Sequence, residues 1–393
     1  MSGAEIADGA GTPTDAAALL ASCRRRAGEA WHEVSAVAEA LSGARRNGTL
    51  NDRQRAQLGN MLRRLVGETE ATLHQALAAK LEAHRDLHRE TVAAFAESVP
   101  VGVFDRLAGA GVLFEPPLVE AALHRMFEHR LEAALRPSVA DTWHSGAGPE
   151  SGDQLVAALM GDARDRQLAD RLNSYVVERT RRTDGYGEPM LRFEELGAGV
   201  MERLHWHVAV LLCEDATARL GAASRFLDVE MQRVVNVELD SIAAHAAGES
   251  PMAQAVDAIE AAGALDGALV VETLRHAEVP LFLALLARLT RLRPSLLRRL
   301  IFEPDGFSLA ILARAVGLGA EQLDTIFALT RHARAPARAF TAGDSARLAA
   351  LFGRIDIEDA GQVWAHWRMD RRYLDALWRL QDAGRTDRAA GAT

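Results

Sequence analysis

Apolar residues along this chain recur at spacings of three and four, and β-branched runs that alternate with polar residues are missing. Leu58, Leu62, Leu65 and Val66 form one such stripe, which predicts a helix opening at Asp52. Val200, Leu204, Val208 and Leu211 form another. Gly248-Glu249-Ser250-Pro251 reads as a helix stop followed by a capped start, with Pro251 in the first turn. The pattern predicts an all-α protein with no sheet.

Residues 1–14 are rich in small residues, lack periodicity and are expected to form a disordered tail, as are 383–393. An N-terminal helical region is expected over 15–136 and a Pro/Ser/Gly-bearing linker over 137–152. A middle helical region then spans 153–250, interrupted at Thr183-Asp184-Gly185-Tyr186-Gly187-Glu188-Pro189. From 251 to 382 the helices become short and closely spaced. Within them Leu286-Ala287-Arg288, Leu292, Leu297 and Ile301 recur 26 positions later as Leu312-Ala313-Arg314, Leu318, Leu323 and Phe327. A weaker third copy runs through Phe352, Ile355 and Trp364. Each copy reads as a helix, a tight turn around one buried Leu or Ile, and a second helix. Such pairs must stack on neighbours to bury their apolar faces, so an irregular, HEAT-like solenoid is expected.

Composition narrows the chemistry. Of the 45 basic residues one, Lys80, is a lysine, and it has neither a glycine loop before it nor a Ser/Thr after it. That excludes P-loop and protein-kinase sites. Cys23 and Cys213 are far apart and outside any CxxC pattern, as expected of a reducing cytoplasm. No apolar run approaches the length of a membrane span, and the first residues lack the pattern of a secretory signal. The net charge of −9 disfavours attraction to nucleic acid.

Individual motifs fare little better. Ala313, Gly317, Leu318, Leu323 and Ile326 fit a helix-turn-helix template, but Glu321 and Asp324 occupy the face that would meet phosphate. A nucleic-acid reading would rest instead on Arg291 to Arg299. Thirteen histidines raise the question of metal. His84 and His88 have the helical i,i+4 spacing, yet Arg85 stands where a zinc protease carries its glutamate. His205 and His207 on a helix point about 160° apart. Gly343-Asp344-Ser345 precedes an apolar run, so Asp344 or Ser345 is expected to cap a helix rather than act as a nucleophile. No metal or cofactor is expected.

One cluster stands out. Trp364, Trp367 and Trp378 gather near the C-terminus among Arg368, Arg371, Arg372 and Tyr373, and Trp367, Leu374 and Trp378 share one helical stripe. Trp and Arg dominate protein–protein hot spots, which makes Trp364, Trp367, Arg371, Leu374 and Trp378 the candidate partner-binding residues. The competing reading is a cap over the end of the helical array.

The stretch from Ala264-Leu265 through Phe282 to Thr290, then Leu300-Ile301-Phe302-Glu303-Pro304-Asp305-Gly306-Phe307, then Leu312 to Leu318, resembles an uncharacterised all-helical family of alphaproteobacterial proteins. Leu50 to Leu81 resembles the N-terminal part of the same family. The resemblance implies a helical fold and a bacterial cytoplasmic setting, and it transfers no catalytic residue. The expected function is a non-catalytic adaptor or regulator that binds protein partners through a helical-repeat surface. The rivals are a metal or small-ligand protein built around Glu202, His205 and Glu214, and a nucleic-acid binder.

Overall fold

The Asn51 side chain accepts the Gln54 backbone N–H at 2.9 Å, and the Asn51 N–H donates to Gln54 Oε1 at 3.0 Å. This reciprocal cap starts helix α2 (Asp52–Glu82) at the aspartate that the apolar stripe predicts. Leu58, Leu62, Leu65 and Val66 are all buried. The computed structural model describes residues 15–43, 50–83, 89–97, 102–144, 155, 156, 159, 166–220, 227–244, 250–331, 333, 342–370 and 373. Among them every extended regular element is a helix, and β structure is confined to one isolated bridge between Thr183 and Pro189. Both expected tails, 1–14 and 383–393, lie outside the described residues.

The described residues pack as two units. The larger takes Ala27–Leu265 and Glu272–Ala284. It contains most of α1 (Ala16–Leu41), then α2, α3 (Arg89–Ala96), α4 (Val103–Gly109), α5 (Pro116–His144), α6 (Arg166–Thr180), α7 (Ala198–Leu220), α8 (Leu227–Ala244) and α9 (Pro251–Ala261). One apolar core joins α2, α3, α4, α5, α7 and α8, with Leu73, Phe95, Leu107, Val119, Leu212 and Val235 inside it. Helix α6 packs on α9, bringing Leu172 and Tyr175 to the side of Ala255 and Ile259. Ser250 caps α9 by accepting the Ala253 N–H at 3.1 Å, with Pro251 at the first helical position as expected.

The boundary expected at 137–152 is not where the units divide. Helix α5 continues to His144, because Pro137 removes one backbone donor without ending the helix. Residues 145–152 lie outside the described set.

The smaller unit takes Met1–Arg26, Asp266–Val271 and Leu285–Thr393. Its elements include α12 (Pro294–Ile301), α13 (Phe307–Ala315), α14 (Ala320–Thr330), α15 (Ala342–Arg354) and α16 (Ile357–Trp367). Helices α10 (Gly267–Arg275) and α11 (Val279–Thr290) are shared between the units. Helix α13 lies centrally and packs on α16, α15, α12 and α14. Its residues Phe307 to Ala313 are all buried.

The internal echo is a repeated backbone device. At the α11–α12 turn Arg291 is left-handed, with φ of 53°, and the Leu292 N–H reaches back to the Ala287 carbonyl at 3.2 Å. Twenty-six positions on, Gly317 is left-handed at 76° and the Leu318 N–H reaches the Ala313 carbonyl at 2.9 Å. This is the Schellman closure, and each closing leucine is buried, as the repeat demands. The same closure ends α9 at Gly263 and α10 at Ala277. The third copy keeps a buried Ile355 but has no left-handed residue among the described positions of its turn.

Arg291 is exposed and pays for a conformation that glycine adopts freely. Arg291→Gly is therefore expected to raise stability by about 0.5–1 kcal/mol, because relief of the left-handed strain exceeds the added flexibility of the unfolded chain. Urea unfolding of the two proteins side by side checks this; a less stable glycine variant would contradict it.

One local expectation fails. Asp344 and Ser345 do not cap α15; the helix begins at Ala342 and both residues fall in its first turn. An aspartate there still serves the helix, since its charge faces the positive end of the dipole.

Candidate functional site

The interruption at Thr183–Pro189 folds as a small hairpin. The Asp184 N–H donates to the Glu188 carbonyl at 2.9 Å, and the Gly187 N–H donates to the Asp184 carbonyl at 3.0 Å. Below the turn the Met190 N–H donates to the Arg182 carbonyl at 2.9 Å. Gly187 is left-handed at φ 78°, which is what a three-residue hairpin connection needs at that place. The Asp184 carboxylate accepts the N–H groups of Tyr186 and Glu188 at 2.9 and 2.8 Å. These bonds and a salt bridge to Arg64 hold its carboxyl below the ordinary aspartate range, against a partial desolvation that raises it.

A buried ion network carries this hairpin. Arg125, on α5, is only 1% exposed. Its Nε donates to the Met190 carbonyl at 3.2 Å and its Nη2 to the Arg182 carbonyl at 2.8 Å, so one guanidinium ties both legs of the hairpin. Its Nη1 stands 3.6 Å from Glu128 Oε2 and from Glu132 Oε1. Arg182 turns inward to Glu128 and, at 2.8 Å, to Glu195. Desolvation works against the Arg182 charge, but Glu195, Glu128 and Glu132 outweigh it and hold that guanidinium above the ordinary arginine range. Two more contacts steady the turn: Gln57 Nε2 donates to Glu188 at 2.9 Å, and His129 Nε2 donates to the Gly187 carbonyl at 2.9 Å. At the tip Tyr186 stands 93% exposed.

The C-terminal candidates divide differently. Trp367 is buried, at 7% exposure. Trp364 is half-buried; its Nε1 donates to the Thr290 carbonyl at 2.7 Å and the Arg368 guanidinium lies 4.6 Å from its ring centroid. Both tryptophans thus contribute to the packing of the smaller unit. Among the described residues, Ile357, Met369 and Tyr373 are the exposed large apolar ones at that end. Arg371, Leu374 and Trp378 lie outside the described residues.

A family model described as an uncharacterised protein conserved in bacteria, DUF2336, matches residues 106–365. The chain belongs to this family. No curated protein and no solved structure matches the chain. The DUF2336 span contains Arg125, Glu128, Arg182, Tyr186 and Trp364, whereas Arg64, Gln57 and Trp367 fall beyond it.

Within the DUF2336 span the histidines of α7 act locally. His205 is 1% exposed and its Nδ1 donates to the Met201 carbonyl at 2.9 Å. His207 does the same to the Arg203 carbonyl at 2.6 Å. The helix therefore separates the two rings, as the periodicity implies. Glu214 pairs with Arg106. The pair His84 and His88 lies outside the described residues. Among the described residues no three His, Cys, Asp or Glu side chains converge as metal ligands, and no helix is long and apolar enough to cross a membrane. In the helix-turn-helix unit Ala313, Leu318, Leu323 and Ile326 are buried while Glu321 and Asp324 are exposed.

Burial pushes the His205 imidazole below its ordinary pKa, with the Met201 bond and Glu238 only partly opposing. The unfolded chain therefore binds this proton more readily than the folded one. His205 contributes stability that is complete above the unfolded value of about 6.5 and is lost as the pH falls through the lower folded value. His205→Gln is expected to flatten the acid side of the stability profile, read from urea midpoints at neutral pH and one or two units below. An unchanged slope would assign that acid sensitivity elsewhere.

Proposed function

We propose that this chain is a non-catalytic adaptor or regulator of the bacterial cytoplasm that binds protein partners through the surface of its helix pairs. The observation that supports this reading is the repeated helix–turn–helix device. Arg291 and Gly317 close equivalent turns with the same 6→1 bond, so the α11–α12 and α13–α14 pairs are built to one template. Repeated pairs that stack make extended surfaces suited to protein ligands, and a HEAT-like solenoid is the arrangement proposed here. Two of the polar groups favoured by the ligand-binding reading are engaged locally: His205 bonds its own helix, and Glu214 pairs with Arg106.

The test is native mass spectrometry of the full chain isolated from its own bacterium after mild cross-linking. A defined protein adduct at fixed stoichiometry is expected. Stoichiometric metal or a small molecule without any protein adduct would overturn the proposal in favour of a ligand-binding protein. Arg371→Glu with Trp378→Ala asks whether the C-terminal stripe takes part; equal recovery of the partner would remove that stripe from the binding surface.

A further inference from the structure

The start of α1, Asp15 to Arg26, lies in the smaller unit and is fastened there at both ends. At one end the Ala16 N–H donates to the Asp359 carboxylate at 3.0 Å, in the first turn of α16. At the other end Arg26 pairs with Asp305, stands 3.7 Å from Glu303, and lies over the Phe307 ring 4.2 Å from its centroid, where α13 begins. Ala16, Leu19, Ser22 and Cys23 form one buried stripe between these points, with the Cys23 thiol 4.0 Å from the Ser308 hydroxyl. The segment therefore covers a face that α13 and α16, which pack on each other, make together.

That hold is thin. Leu19 is the one large apolar side chain of the stripe, whereas α13 beneath it buries Phe307, Leu309, Ile311 and Leu312. Hydrophobic stabilisation follows apolar area, so the segment is bound less firmly than the helices it covers. Closing it also keeps polar groups from water: burial pushes the Cys23 thiol up to about 12 and the Glu303 carboxyl above its ordinary range. Asp15 caps the helix from within by accepting the Ala18 N–H at 2.8 Å. Gly28 follows, two residues past Arg26. Neither a left-handed backbone nor a close neighbour among the described residues requires glycine there, and an interior glycine weakens a helix where it stands.

We propose that residues 15–26 are a releasable strap, which parts from the rest of α1 at Gly28, leaves the helices beneath it folded, and uncovers the α13–α16 face for the protein partner. The release stands on the fastening described above; its use as a gate rests on the adaptor reading.

The experiment times the labelling of native full chain by a maleimide, with mass spectrometry assigning the modified peptide. The two cysteines are paired reporters: Cys23 lies under the strap and Cys213 in the core of the larger unit. Burial pushes both thiols up to about 12, so each is inert until its surroundings open. Cys23 is expected to react at least tenfold faster than Cys213, at a rate almost flat in low urea because release exposes little surface. Arg26→Ala is expected to speed Cys23 at least threefold and Gly28→Ala to slow it by a similar factor, with Cys213 unchanged in both. Circular dichroism of each variant shows that the helices persist. Equal rates at the two thiols overturn the strap, as does a Cys23 rate that climbs with urea as steeply as global unfolding, or indifference to either substitution. Cross-linking in the bacterium then tests the gate, where Arg26→Ala should at least double the protein adduct recovered. If the adduct is unchanged while Cys23 reacts faster, the gate falls and the adaptor reading stands; if neither chain yields a protein adduct, the adaptor reading falls and takes the gate with it, whatever Cys23 shows.

Discussion

Arg125→Met is expected to cost about 3–5 kcal/mol of stability, a large share of what holds a domain of this kind together. The side chain is 1% exposed, and its removal takes a partner from two kinds of group. Glu128 and Glu132, themselves 1% and 6% exposed, lose the buried cation 3.6 Å away. The carbonyls of Arg182 and Met190 lose the donor that joins them. Methionine fills comparable volume, so the loss reports the uncompensated polar groups rather than a cavity. A chemical control separates the two: adding Glu132→Gln removes a buried charge that then has only the exposed Arg136 beside it, and should recover part of the deficit. Urea unfolding followed by circular dichroism measures both variants. A midpoint within error of the parent protein would show that the network contributes nothing, and a double variant no better than the single one would show that the cost lies in packing.

The network also explains why part of this molecule could not be read from its sequence. Helix periodicity is local, and it located α2, the capped start of α9 and the turn-bearing pairs from α11 to α14. Apolar residues at helical spacing are buried because no other arrangement removes them from water together. Arg125 carries no such signal. It sits in His124-Arg125-Met126-Phe127-Glu128-His129, a stretch that looks like an ordinary exposed face with acid one turn from base. Only the long-range return of residues 182–195 onto α5 turns that face inward, and a single sequence offers no trace of the pairing. Tyr186 is an intermediate case. The Asp184-Gly185 and Gly187 positions are turn residues with a hairpin mechanism, so the hairpin itself was accessible to sequence reasoning that searched for it. Its exposure was not. At the C-terminus the spacing of Trp364 and Trp367 fits a capping stripe and a binding stripe equally well, because a helical period records which residues share a face and not what that face meets. Among the described residues Trp367 is buried and Trp364 donates to the Thr290 carbonyl, so both take part in packing the smaller unit.

The second large effect is expected at Gly306, the residue that precedes α13. Gly306→Ala should destabilise the smaller unit by about 2–4 kcal/mol, from a left-handed backbone of roughly 1–2 kcal/mol and an overpacked contact of similar size. The glycine has φ of 68°, and a methyl group built on it would lie 2.5 Å from Phe327 Cε2 and 2.7 Å from Cδ2. Phe327 is itself buried and packed, so its ring cannot swing away without opening the core around α13. The turn is equally fixed on its other side: Glu303 accepts the Ser308 N–H at 2.7 Å, Asp305 accepts the Phe307 N–H at 3.1 Å, and Arg26 pairs with Asp305. Gly317 supplies the matched comparison. Its φ is 76°, but nothing lies within 4 Å of a methyl group placed there. Gly317→Ala should therefore show the backbone cost alone, about 1–2 kcal/mol, and the difference between the two variants isolates the contact with Phe327. Phe327→Leu in the Gly306→Ala background should give back part of that difference by making room for the methyl group. Thermal and urea unfolding of the four proteins measure these quantities. Equal losses at Gly306 and Gly317 would show that the ring yields without cost, and that the close approach of the α13 start to α14 is looser than the geometry requires.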